Sequence, residues 1–441
     1  MKDSSKLYGN IRKAVNAIRI IDTHEHLVQE KERVGSEIDL LATFLSHYAS
    51  SDLVSSGMPM EEIEEVRNTR IPLRERWERF APFWERIQNT GYARALNIAV
   101  RDLYSVDGIG EDTYLELAER TKEANKEGLY KWVLQEKAGI DVAVLDTSMT
   151  TPIEKVDRNL FTPVTRFHDF IMTRERSELE ALGKRCGMPI HSLPDLVKAL
   201  ETEFYRVSDS IVGVKIGLAY MRTIHFDKVT QGEAEGVFNN IYAQQAFKRV
   251  VVNGRGKYIP EGLSLEETKP LQDFMVHKII QLAAEKRLPI QIHTGLQEGN
   301  ENVITNSNPT HLINLFREYK EARFDIFHGS YPYTGELAVL AKNFPNVYID
   351  MCWLHIISPL GARRALSEWL DTVPANKILG FGGDYLFIEG AYGHSVIARE
   401  NIAKVLTEKV EDGEFTEKQA IRLAQRLLRD NAHDLFFSKD K

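Results

Sequence analysis

IIDTHEHL, residues 20–27, places two histidines two positions apart at the end of an apolar run. Successive side chains of a strand point to opposite faces, so His24 and His26 share one face. If the strand belongs to a (β/α)8 barrel, that face looks into the C-terminal mouth, where active sites of this fold lie. Neutral imidazoles suit zinc and other borderline divalent ions. Asp22 and Glu25 alternate with the pair and are expected to hydrogen-bond the ligands from behind. A single His-x-His pair reads as readily as packing or surface; the residues that accompany it decide.

Working outward, further short apolar runs end abruptly in polar residues at 140–147, 211–216, 288–293, 323–328, 347–351 and 378–383, with a weaker one at 163–168. With the first run at 18–23 these make eight, and such runs read as buried parallel strands. Amphipathic stretches separate the later ones. Residues 270–286 carry Leu271, Phe274, Met275, Ile279, Ile280, Ala283 and Ala284 on one helical stripe. Residues 334–344 and 361–373 behave alike, and 416–437 reads as a closing helix. Strands alternating with helices, eight in number, predict an α/β fold: a (β/α)8 TIM-like barrel over residues 1–441. Two intervals exceed a simple crossover. Residues 27–137 are rich in charge and aromatics and predict a helical insertion after the first strand; residues 217–270 read as an extended crossover.

The later strands end as the first does. His293 closes LPIQIH, His328 closes RFDIFH, and Asp384 closes ILGFGGD. Three histidines and a carboxylate suffice for one divalent ion with an open position, so His24, His26, His293 and Asp384 are the expected metal ligands, zinc first and manganese second. Asp384 and His328 are the expected catalytic groups, one moving a proton and the other polarising the substrate or joining the ligands. Lys215 ends the fourth strand. Tyr220, Arg222, Trp353 and His355 follow strand ends, and with Lys215 they are the expected substrate contacts. Each has a plain alternative as packing or surface, and His394 lies in the loop after Asp384. The remaining histidines, His47 among them, have no constellation around them.

These motifs resemble the amidohydrolase superfamily. IDTHEHL is similar to its first-strand metal motif, and QIHTG, FHGSYPY and FGGD match later positions in order. The combination with HGSYPYTGELAVLAKNFPNVYIDM and RDNAHDLF is most similar to the branch that includes the amidohydrolase-like domain fused to glutamine-synthetase-like proteins. The long insertion resembles that of uronate isomerases. The resemblance implies a distorted barrel, a divalent metal and a last-strand Asp as proton acceptor. It also implies an alternative in which a carboxylated Lys215 bridges two ions, one on His24, His26 and Asp384, the other on His293 and His328. One ion is the favoured expectation. The expected activity is hydrolysis of an amide, lactone or related bond in a small polar substrate. A uronate-isomerase-like or decarboxylase reaction is the first alternative, and a non-catalytic scaffold or binding domain the second.

Composition narrows the field. Over 441 residues, 43% are hydrophobic and 27% charged, as in ordinary globular proteins. A net charge of −8 argues against a general nucleic-acid partner. Two cysteines point to a reducing compartment, and no apolar stretch approaches a membrane span, so a cytoplasmic enzyme acting on a small molecule is expected. Homo-oligomerisation is left open.

Overall fold

A computed structural model describes residues 2–243, 247–252, 255–260 and 262–438. The apolar runs form parallel strands: β1 (Ile20–Glu25), β2 (Ile140–Ser148), β3 (Phe161–Arg166), β4 (Gly213–Ile216), β7 (Ile290–Ile292), β8 (Phe324–Ile326), β9 (Val347–Asp350) and β10 (Ile378–Leu379). They pair in the order β1-β2-β3-β4-β7-β8-β9-β10, the sequential neighbours expected of a barrel. The antiparallel pair β5 (Phe247–Val252) and β6 (Arg255–Pro260) lies in the long crossover between β4 and β7.

The last strand is shorter than its apolar run. After Leu379 the chain leaves the ladder, and Gly380 N donates to Leu427 O. Residues 381–385 close the barrel irregularly against β1: Thr23 N donates to Phe381 O, His26 N to Tyr385 O, and Asp384 N to His24 O. This seam brings the first and last metal motifs together.

The insertion is helical, as expected, with short helices from Glu30–Val34 to Tyr114–Ala124 and a π-helical turn at Lys131–Lys137. The helix Leu73–Ile87 shows why: Trp77, Phe80, Trp84 and Ile87 recur at helical spacing and are all buried. The helix Gly91–Tyr104 seats the insertion on the barrel by packing against the helix Ile388–Glu411. The approach is so close that a Cβ on Gly393 would lie 2.0 Å from Ala95 O. Gly393→Ala is therefore expected to destabilise by about 1–3 kcal/mol through overpacking. Denaturant titration checks this, and an unchanged midpoint would contradict the contact. Among the described residues, no helix is long and apolar enough to cross a membrane.

Candidate active site

β1 is buried along its whole length, so its polar residues must find partners inside the protein. Asp22 and Glu25 do so through the closing segment rather than through the imidazoles, which corrects the expectation for them. Asp22 Oδ1 accepts from His24 N and Gly383 N (3.0 Å each), and Glu25 Oε2 from Tyr385 N (2.8 Å). The glycines of FGGD make room: a Cβ on Gly383 would lie 1.8 Å from Glu25 Oε1. The two acids thus hold the backbone that presents Asp384.

His24 Nε2, His26 Nε2 and Asp384 Oδ1 converge. The histidine nitrogens are 3.3 Å apart, and Asp384 Oδ1 lies 3.5 Å from the first and 3.1 Å from the second. Ligands on ~2.1 Å bonds around a tetrahedral ion stand ~3.4 Å apart, so this triangle fits a divalent cation. Asp146 Oδ2 stands 3.5 Å from His24 Nε2 and adds a further carboxylate.

His293 leads elsewhere. Its Nδ1 is 2.9 Å from His328 Nε2, while its Nε2 faces Leu296 O at 3.0 Å. His328 Nδ1 in turn faces Cys352 O at 3.2 Å. A carbonyl only accepts, so each outer nitrogen carries the ring's proton and each inner one a lone pair. Two lone pairs at 2.9 Å need a proton or a cation between them. Burial, followed at His293 by the neighbouring His328, depresses both rings, His328 to about 3, which disfavours the proton. A carbonyl behind each ring is the usual support of a metal-bound imidazole. His328 Nδ1 also lies 3.9 Å from Asp384 Oδ2, so Asp384 stands between the β1 histidines and the His293–His328 pair.

Burial also lowers His24 well below its ordinary range. For Asp384, burial acts upward, but the hydrogen bond from His26 and the charges around it hold the carboxyl well below the usual range. Neutral imidazoles and an ionised carboxylate are the states that bind metal. Lys215 is buried; its Nζ lies 3.5 Å from His24 Nε2 and over the Phe327 ring. Burial lowers its pKa to about 8, against the pull of Asp146.

The insertion supplies a residue that the sequence did not reveal. Tyr48 OH donates to Asp384 Oδ2 and is 2.6 Å from it. Burial and Asp384 push the phenol well above its ordinary range, so it stays a donor. Tyr48 stacks on Trp353 at 4.6 Å, and Trp353 meets His328 edge-on at 5.2 Å. His47 packs against Tyr48 at 3.8 Å. Nothing in FLSHYAS marks these two residues, since Asp384 is 336 positions away. Arg166 and Asp146 were legible in principle: they sit near the ends of β3 and β2, as the histidines do on their strands. Their side chains form an ion pair through Arg166 Nε (2.8 Å).

Other expected contacts fall differently. Tyr220 is half-exposed, with its ring 4.7 Å from His293. Arg222 gives its donors to Gln272, His225 O and Thr223 O and pairs with Asp273, so its guanidinium is committed to the scaffold. His355 is likewise committed, to Gly380 O (2.9 Å) and Asn401 (3.3 Å). His394 lies in a helix rather than a loop and faces Gly383 O. Of the seven described residues other than glycine with positive φ, His328, Trp353 and Asp384 belong to this site. Such backbone costs roughly 1–3 kcal/mol per residue and clusters where function requires it.

The mouth of the barrel thus gathers histidines, a lysine and aspartates from β1, β2, β4, β7, β8 and β10. The amidohydrolase family profile matches residues 255–437. Protein fluG of Emericella nidulans is 34% identical over 179 residues, 38% of this chain; the match spans 20% of that protein's length. The uronate isomerase of Thermotoga maritima superposes with a TM-score of 0.79 at 18% identity, covering 98% of this chain and 97% of that one. The glucuronate isomerase of Caulobacter crescentus gives a TM-score of 0.77 at 16% identity, covering 99% and 95%. The resemblance to the amidohydrolase superfamily thus holds in sequence over the C-terminal part, and the likeness to uronate isomerases holds in fold over nearly the whole chain.

Proposed function

We propose that this protein is a metal-dependent hydrolase of small carboxylate-bearing substrates, with divalent ions at two ligand clusters. The observation that carries the reading is the division of the ligand-type residues into a His24, His26 and Asp384 triangle and a His293 and His328 pair with opposed lone pairs. A bound divalent ion brings the pKa of its water towards neutrality and polarises a substrate carbonyl. Zinc suits the nitrogen-rich donors, with manganese next.

The chain's own groups do the rest. Asp384, ionised and facing the first cluster through Oδ1, is placed to take a proton and return it to a leaving group. Tyr48 holds the other oxygen, Oδ2, and so fixes the carboxylate's orientation. Lys215, with its lowered pKa, has neutral amine available near pH 8. That amine can add carbon dioxide, losing a proton to become an anionic carbamate beside His24. Lys215→Met is expected to remove about one ion per chain; elemental analysis at unchanged secondary structure checks it.

Arg166 supports the substrate class. Asp146 occupies its Nε and Nη2, while Nη1 lies beside Gly217 and meets no acceptor among the described residues. A substrate carboxylate there would gain a charge-assisted hydrogen bond. Arg166→Gln is expected to raise KM roughly 10- to 100-fold, the worth of one such bond. An unchanged KM would remove Arg166 from substrate binding.

Sugar-acid isomerisation is the second reading. It is favoured by a fold likeness that includes the insertion. Assaying metal-loaded protein against N-acyl amino acids, lactones and uronates separates the two. Turnover of the uronates alone would replace hydrolysis with isomerisation.

A further inference from the structure

The end of the barrel away from the mouth carries a second concentration of charge, which the chemistry above does not use. A cavity of about 430 Å³ lies there, beside the residues that lead into β1 and β2. Those strands carry His24 and Asp146 towards their other ends. Arg399, on the helix Ile388–Glu411, lines the cavity and is only 7% exposed. It donates to Val15 O (2.5 Å), Ile18 O (2.9 Å) and Ala138 O (2.9 Å). These carbonyls close the helices Lys2–Ala17 and Lys131–Lys137, whose ends bear partial negative charge. They take both Nη2 hydrogens and one on Nη1, so Nε and the second Nη1 hydrogen are left for a ligand; unlike Arg222, which pairs with Asp273, Arg399 has no carboxylate partner among the described residues.

A second guanidinium stands close by. A Cβ on Gly139 would lie 3.0 Å from Arg399 Nη2 and 3.9 Å from Arg19 Nη1, so both cations overlook one glycine that leaves the approach open. Like charges held this close repel, the more so where one is buried. Arg19 Nε donates to Asp141 Oδ1 (2.6 Å) and its Nη1 to Gln135 O (2.6 Å), while the other oxygen of Asp141 holds Arg429, so the acid offsets Arg19 in part. Exposed Arg12 and Lys137 add to the rim. Two acids of the lining are already engaged, Glu400 by Arg94 and Lys404, and Asp102 by Arg101 and the Tyr392 hydroxyl. The lining thus holds four cations, Arg12, Arg19, Lys137 and Arg399, and three acids, of which Glu136 is in no ion pair among the described residues.

We propose that this cavity binds a phosphate-bearing small molecule through Arg399, Arg19, Arg12 and Lys137. The cations come from the first helix, the start of β1, the π-helical turn and the helix Ile388–Glu411. They therefore approach from several directions, which suits a tetrahedral dianion better than a planar carboxylate. Arginine forks match phosphate oxygens in pairs, and the volume suits a small ligand.

Calorimetric titration of the full chain with inorganic phosphate, at ionic strength matched with chloride, tests the site. Saturable binding is expected in the unaltered protein, with a thermal shift that chloride does not produce. Arg12→Gln/Lys137→Gln removes two exposed cations without touching the core and is expected to weaken binding at least about tenfold. Arg19→Gln is expected to act in the same direction. A response equal to that of chloride would overturn the proposal. So would phosphate binding as tightly to the double variant and to Arg19→Gln as to the unaltered protein, which would place the anion elsewhere, the metal-bearing mouth included.

Discussion

Asp384→Asn is expected to lower kcat by roughly two to four decades, the range for loss of a proton-transferring group, while the fold survives. The carboxylate is held from three sides: Tyr48 on Oδ2, the β1 histidines on Oδ1, and the backbone bond from Asp384 N to His24 O. An amide keeps the size of that side chain, so the packing around it should persist. It cannot accept a proton at neutral pH, and it is a poorer metal ligand than a carboxylate. Turnover on a validated substrate, circular dichroism and metal content should be measured together. Full activity in the variant would show that the chemistry is carried by another residue.

His328→Asn is expected to cost about one bound ion per chain and to lower turnover by a similar number of decades, because His293 alone cannot hold the second ion. The carbonyls behind the two rings leave both inner nitrogens as lone pairs, and an ion there needs both. If His328 acts only by polarising substrate, metal content stays at the unaltered value while the rate falls. The two measurements distinguish these roles without a structure of the variant.

The barrel was legible because each strand is a short apolar run that stops at a polar residue, and the five residues His24, His26, His293, His328 and Asp384 mark the ends of four such runs, the first two sharing one. Whether those residues form one set or two was left open, the resemblance offering both, since it depends on which ring nitrogen meets Leu296 O and Cys352 O, and no spacing encodes that. Asp146 could have been found by the same rule, one residue inside the end of its run. Tyr48 could not: its role arises from an insertion folding back over the mouth, a contact made by tertiary packing alone. Arg222 and His355 looked like site residues because they follow strand ends, but a loop residue can turn either way. These two turn into the scaffold, where Asp273 and Gly380 O hold them.

Whether the mouth of the barrel holds two divalent ions is read from the metal content of the protein prepared without chelator and reconstituted with zinc or manganese. About two ions per chain are expected, from two ligand clusters of nitrogen and carboxylate donors, with His24→Asn and His328→Asn each removing about one. One ion, lost in His24→Asn and kept in His328→Asn, would reduce the His293 and His328 pair to a catalytic role and contradict the two-cluster reading. Folded protein that takes up neither metal would contradict the account as a whole.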